Sequence, residues 1–129
     1  MSKQKGYSLL ELMMALALAG MLMSMATVHY RQHTVRVHRV EASMALLELS
    51  MRLESYHADY QTYEGVPSSA LLGMMSDVSY TVVVDYASAS TYQLRAVPLR
   101  EDPPCGQFLL NERGVKAVTG WAGLGVCWP

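Results

Sequence analysis

Apolar and polar positions divide the chain into three stretches of different period. Residues 7–28 carry a single charge, Glu11, within 22 positions. From Arg31 to Tyr63 no proline or glycine intervenes, and Val40, Met44, Leu47 and Met51 recur at the four-three-four intervals of one helical face. Ala42, Leu46, Leu49, Leu53 and Tyr56 widen that stripe, while Arg39, Glu41, Glu48, Arg52 and Glu54 cover much of the remainder. The pattern predicts one long helix, apolar all round in its first half and amphipathic in its second, stopped by Gly65 and Pro67. Beyond it, residues 78–86 (VSYTVVVDY) and 91–97 (TYQLRAV) are rich in β-branched and aromatic side chains and flank a small-residue turn, ASAS, which predicts a hairpin. Residues 107–110 and 115–118 predict a second one around Asn111-Glu112-Arg113-Gly114. Such strands are stable when laid on a helix, and the amphipathic half of the long helix offers that surface.

The apolar run is long enough to matter by itself. At about 1.5 Å rise per residue its helix measures roughly 33 Å, close to the hydrocarbon thickness of a bilayer. Three readings fit a short polar start with Lys3 and Lys5: an ordinary signal peptide cut at Ser24-Met25-Ala26, a plain single-span anchor, and a span with a further task. Glu11 separates them. An intramembrane carboxylate costs about 2.5 to 3.5 kcal/mol when central and less near the interface, so such groups are normally paired and functional. A partner arises if the chain is cut after Gly6, because Tyr7 then bears an α-amino group with a reference pKa of roughly 7.7 to 8.0. Helices packed side by side with a stagger would bring that amine of one chain to Glu11 of another. Glycine before the cut suits a protease that needs close backbone approach, since it has no Cβ.

Composition narrows the rest. The chain has 129 residues, one domain's worth, and a formal net charge of -1 with its basic residues scattered, which makes no electrostatic case for nucleic acid. Cys105 and Cys127 are the two cysteines. If joined, they close a loop that contributes roughly 3 kcal/mol on the chain-entropy model, useful for a small core. The alternative is two free buried thiols in a cytosolic protein. A bridge would place the globular part in an oxidising compartment, the periplasm, with the lysine-bearing leader inside; Arg31, Arg36 and Arg39 on the outer flank weaken the positive-inside signal.

The stretch Gly6-Tyr7-Ser8-Leu9-Leu10-Glu11-Leu12-Met13 resembles the class III signal of type IV pilins, typically G-F-T-L-I-E-L-M. The resemblance implies that a prepilin peptidase cuts between Gly6 and Tyr7, that Tyr7 is N-methylated, and that Glu11 is the assembly glutamate pairing with a neighbouring subunit's N-terminus. Tyr7 stands where phenylalanine is usual, and Val28 where many relatives have a helix-breaking proline, although Gly20 is present. The segment Asp102-Pro103-Pro104-Cys105-Gly106, then Phe108-Leu109-Leu110, Gly114 and Cys127-Trp128 is similar to the C-terminal pattern of PilE-type minor pilins, whose disulfide delimits the D-region. Ala45-Leu46-Leu47-Glu48-Leu49 with Arg52-Leu53-Glu54 is similar to their helix.

The implied fold is α+β, the type IV pilin fold, divided as a leader (1–6), a transmembrane and filament-core helix (7–28), an amphipathic helix half (29–64) and a small sheet region with a disulfide loop (65–129). The implied function is a minor pilus subunit that primes assembly and supports adhesion, twitching motility or DNA uptake. Its partners would be major and minor pilins, the prepilin peptidase, the inner membrane and the assembly platform. It would be single-pass in the inner membrane, N-terminus cytoplasmic and C-terminal region periplasmic, before reaching the pilus at the cell surface. Two alternatives stand beside it: a type II secretion pseudopilin, which shares leader and helix, and a DNA-binding receptor pilin. Nucleic acid is the weaker partner, because Arg31, Arg36 and Arg39 make a short phosphate track and favour a juxtamembrane collar with His29, His33 and His38. Those histidines lack a completing carboxylate or cysteine nearby, so no metal and no cofactor is expected. Tyr56, Tyr60 and Tyr63 are expected in the core under the sheet. No G-x-S-x-G elbow, phosphate loop or H-E-x-x-H is present, which argues against an enzyme.

Overall fold

The computed structural model of the chain describes residues 6–66 and 79–128, with Val28 and His29 described by backbone alone. Residues 1–5 of the leader, the Pro67 stop signal and Val78 lie outside the described residues. The chain divides into two compact units, Met1–Val35 and Arg36–Pro129.

Helix α1 (Leu9–Tyr60) begins where the Ser8 carbonyl accepts from the Glu11 and Leu12 amides, at 3.0 and 3.2 Å. In the first unit its apolar side chains are exposed, and its few hydroxyls turn back onto the helix: Ser24 donates to the Met21 carbonyl at 2.7 Å and Thr27 to the Ser24 carbonyl at 3.0 Å. Satisfying hydroxyls locally is what an apolar solvent demands.

The helix stops at Tyr60, before the expected signals at Gly65 and Pro67. Gln61 adopts a left-handed φ of 56° and closes the last turn itself, its backbone N–H on the His57 carbonyl at 2.8 Å and its side-chain amide on the Ala58 carbonyl at 3.2 Å. That turn swings Tyr63 into the core, stacked on His57 and edge-on to Tyr92. Tyr63 is the only one of the three expected tyrosines to be buried: Tyr56 is half-buried and Tyr60 is exposed.

Four strands follow: β1 (Tyr80–Ala87), β2 (Tyr92–Pro98), β3 (Phe108–Asn111) and β4 (Lys116–Val118). They form an antiparallel meander in chain order, both hairpins falling where the alternation placed them. A bulge at Asp85 shifts the β1–β2 register and sets its carboxylate on Arg95. Alternate residues of β2 and β3, namely Tyr92, Leu94, Ala96, Phe108 and Leu110, face inward and form one core with Ala42, Leu46, Leu49 and Leu53 of α1. The sheet therefore covers the stripe that was expected merely to widen the seam, and Met44, Leu47 and Met51 stay exposed. Both faces are apolar, so periodicity alone did not rank them. A short helix α2 (Leu124–Cys127) then sets Trp128 against Phe108, its indole N–H donating to the Ala117 carbonyl at 3.3 Å.

Candidate functional site

The first unit carries the processing residues. Gly6 and Tyr7 lie just ahead of α1, exposed and without regular structure, and Glu11 sits in the first helical turn, also exposed. A carboxylate there is favoured by the partial positive charge of the unpaired amides at the helix start. The helix behind it is long and apolar enough to cross a membrane, and none of its most apolar window is buried within the chain. Glu11 and the residues around it are thus displayed to whatever packs on this helix.

The second unit carries the disulfide-closed region. Cys105 and Cys127 are joined and buried, and the chain between them contains β3, β4 and α2. The loop is strapped down by backbone: the amides of Gly120 and Ala122 donate to the carbonyls of Cys105 and Pro104, each at 2.9 Å, and the Thr119 hydroxyl accepts from the Gln107 amide at 2.9 Å. Gly120 makes this approach possible, because a Cβ there would fall inside the Pro104 carbonyl. Trp121 lies between the two strapping amides and is 80% exposed.

One ion pair ties the loop entrance to α1. Arg39 donates from Nε and Nη2 to the two oxygens of Asp102 at 2.8 and 2.6 Å, and the Tyr80 hydroxyl donates to the same carboxylate at 2.8 Å. The side chains of Arg39 and Asp102 are only 14% and 11% exposed. The Arg39 guanidinium holds the Asp102 carboxyl below the usual carboxylate range, while desolvation and then Asp102 push the Tyr80 phenol up. Arg39 was expected in an exposed collar beside the membrane; it is instead a half-buried anchor for a loop 63 positions away. No local pattern in the sequence marks that pairing.

A second cluster surrounds Glu54. Tyr63 donates to both its oxygens at 3.1 and 3.0 Å, and Tyr92, itself in contact with Ser50, donates at 3.2 Å. Burial and then Glu54 push Tyr63 up to about 12, and burial is the first cause raising Tyr92.

Four of the remaining basic groups are matched. Arg52 meets Glu48, Arg95 meets Asp85, Arg113 meets Glu112, and Lys116 lies over the Trp128 ring. His38 bonds Glu41 at 3.2 Å, and among the described residues no three metal-donor side chains converge.

Comparison with known proteins bears on both units. The family model described as type IV minor pilin ComP, DNA uptake sequence receptor, matches residues 29–109, and that of the prokaryotic N-terminal methylation motif matches residues 1–27. Among solved structures, the crystal structure of the Neisseria meningitidis non-core minor pilin PilV is similar at 22% identity and a TM-score of 0.52, covering 67% of this chain and 86% of that one. At that identity the likeness is one of fold. A comparison with curated proteins gives no match.

Proposed function

The chain belongs to the type IV minor pilin ComP family, by a match over well over half its length, and on that premise we propose how it enters the pilus. As a minor pilin with an N-terminal methylation motif, it is a structural subunit. The route begins with insertion of residues 7–28 in the inner membrane, leader inside and the disulfide-bonded region in the periplasm. Prepilin peptidase cuts between Gly6 and Tyr7, and Tyr7 is N-methylated. The subunit then joins major and minor pilins on the assembly platform, Glu11 pairing with the amine of a neighbour. The observation that carries this reading is the exposed apolar start of the helix, with one exposed carboxylate in its first turn, lying inside the matched motif. An unpaired charge among packed apolar helices is costly, so the pairing selects axial register.

Two measurements test it. Mass spectrometry of the mature chain is expected to find methylated Tyr7 at its start; retention of the first six residues, or a start at Thr27, overturns the route. Glu11→Ala is expected to deplete the protein from sheared pili by at least tenfold while leaving its membrane level unchanged. Wild-type incorporation would refute the pairing.

A second reading follows from the family description, which names a DNA uptake sequence receptor. Against it, most arginines of the second unit already meet carboxylates. A receptor would bind through exposed groups such as Arg100 and Lys116. A salt-dependent shift of duplex DNA by residues 31–129 would support this reading, and no shift at about 50 mM salt would dismiss it.

A further inference from the structure

The face of α1 turned away from its own sheet is apolar and regularly spaced. Met44, Leu47 and Met51 are 63%, 42% and 66% exposed. Each lies two positions from a buried residue of the core face, which is roughly 200° around a helix. Val37 and Val40 extend the row, so positions 37, 40, 44, 47 and 51 alternate by three and four. That is the spacing of a coiled-coil seam, and a strict repeat of seven is kept where a second helix winds alongside, since a lone helix drifts off it. In sequence the same alternation runs back through His33, Tyr30, Ala26, Met23, Ala19, Leu16, Leu12 and Leu9. Within the apolar run any spacing would be apolar, so the informative portion is the one that persists past residue 30, where polar alternatives abound.

We propose that this seam docks a second copy of the chain, the two helices lying parallel and in register. The charges beside the seam carry the choice of occupant. Arg36, Ser43 and Ser50 immediately precede the seam residues 37, 44 and 51, and Glu41 and Glu48 immediately follow 40 and 47. In a parallel pair a preceding residue faces the following residue five positions on in the other helix. Arg36 then meets Glu41 of the partner subunit, twice by symmetry; Ser43 is buried within its own subunit, its hydroxyl donating to the Val40 carbonyl at 2.8 Å, and takes no part. An antiparallel pair would set glutamate against glutamate. Arg36 and Glu41 are both exposed, and Glu41 uses one oxygen on His38, leaving the other open. The docking is a contact between copies in the membrane, separate from the staggered packing proposed above, and it rests on that reading only for its orientation: two copies anchored by the same end are already parallel and at high local concentration.

The test uses the full chain in the membrane of a piliated host. Cysteine is placed at Met44→Cys and, separately, Met51→Cys, with Arg113→Cys in an exposed turn as the control. Mild oxidation is expected to give a reducible band at twice the subunit mass for both seam variants and not for the control. Two differently tagged copies are expected to recover one another. A cross-linked band containing a different protein, or a yield no greater than that of the control, overturns the proposal. Register is tested by charge: Arg36→Glu is expected to cut the cross-link at least threefold, and Arg36→Glu with Glu41→Arg to restore it. An unchanged yield in Arg36→Glu overturns the parallel register. The N-terminus of the same preparations is read by mass spectrometry. A chain that begins at methylated Tyr7 yet gives no dimer sinks the seam alone, whereas a chain that begins elsewhere sinks the processing route and leaves the dimer band to decide the seam.

Discussion

Removing the Asp102 carboxylate should loosen the whole C-terminal region. Asp102→Ala leaves the Arg39 guanidinium, 14% exposed, without its bidentate acceptor and the Tyr80 hydroxyl without its 2.8 Å partner. Exposed pairs are worth about 0 to 1 kcal/mol, whereas breaking a fully buried one costs about 3 to 5 kcal/mol. This pair sits between those limits and also holds a phenol, so a loss of about 2 kcal/mol is expected, or a fall in Tm of about 10 °C for a unit of this size. The assay is thermal unfolding of residues 31–129 as wild type, Asp102→Ala, Arg39→Ala and the double variant. The cycle should return a coupling of at least about 1 kcal/mol. The sign with pH follows from the depressed Asp102 value. A carboxylate more acidic in the folded state stabilises above its unfolded pKa, near 4, and that contribution is lost as the pH falls through the lower folded value. Wild type should therefore lose its advantage over Asp102→Ala progressively as the pH falls below about 4. Additive single losses, or a gap between the two proteins that does not narrow as the pH falls below about 4, would refute the anchor.

Three further outcomes are expected. Gly120→Ala should cost at least about 2 kcal/mol, because its Cβ must push the strap off the Pro104 carbonyl, whereas Gly125→Ala, which meets nothing, should be close to neutral in the same melts. In an absorbance titration of phenolate, Tyr63, Tyr80 and Tyr92 should ionise above the ordinary tyrosine range, their raised values contributing stability below about pH 10 that is lost as Tyr63 passes about 12. Three tyrosines titrating late together with loss of near-UV signal would agree; all titrating together near pH 10 in a folded chain would not. Gln61→Gly should raise the melting temperature by a few degrees, since glycine accepts the left-handed φ of 56° without the penalty of about 1 kcal/mol a side chain meets there. A lower melting temperature would mean that the glutamine amide's bonds to the last carbonyls outweigh that strain.

Local pattern and chemistry determined a great deal of this protein. The Gly6 to Met13 stretch, the length of the apolar run, the two hairpins and the pairing of the only two cysteines follow from short-range rules: period two or period 3.6, turn residues at fixed offsets, and a carboxylate where none is cheap. What only the tertiary structure decided are choices among equals. Two apolar stripes run along the second half of α1, and the sheet chose Ala42, Leu46, Leu49 and Leu53 over Val40, Met44, Leu47 and Met51. Arg39 became an anchor because Asp102 arrives beside it, an event no window around residue 39 contains. The helix ended at Tyr60, ahead of the glycine, because burying Tyr63 against Tyr92 offsets a left-handed glutamine. Periodicity reports which faces are apolar; which of them meets the rest of the chain is a property of contacts between distant segments, and those exist only once the chain has folded.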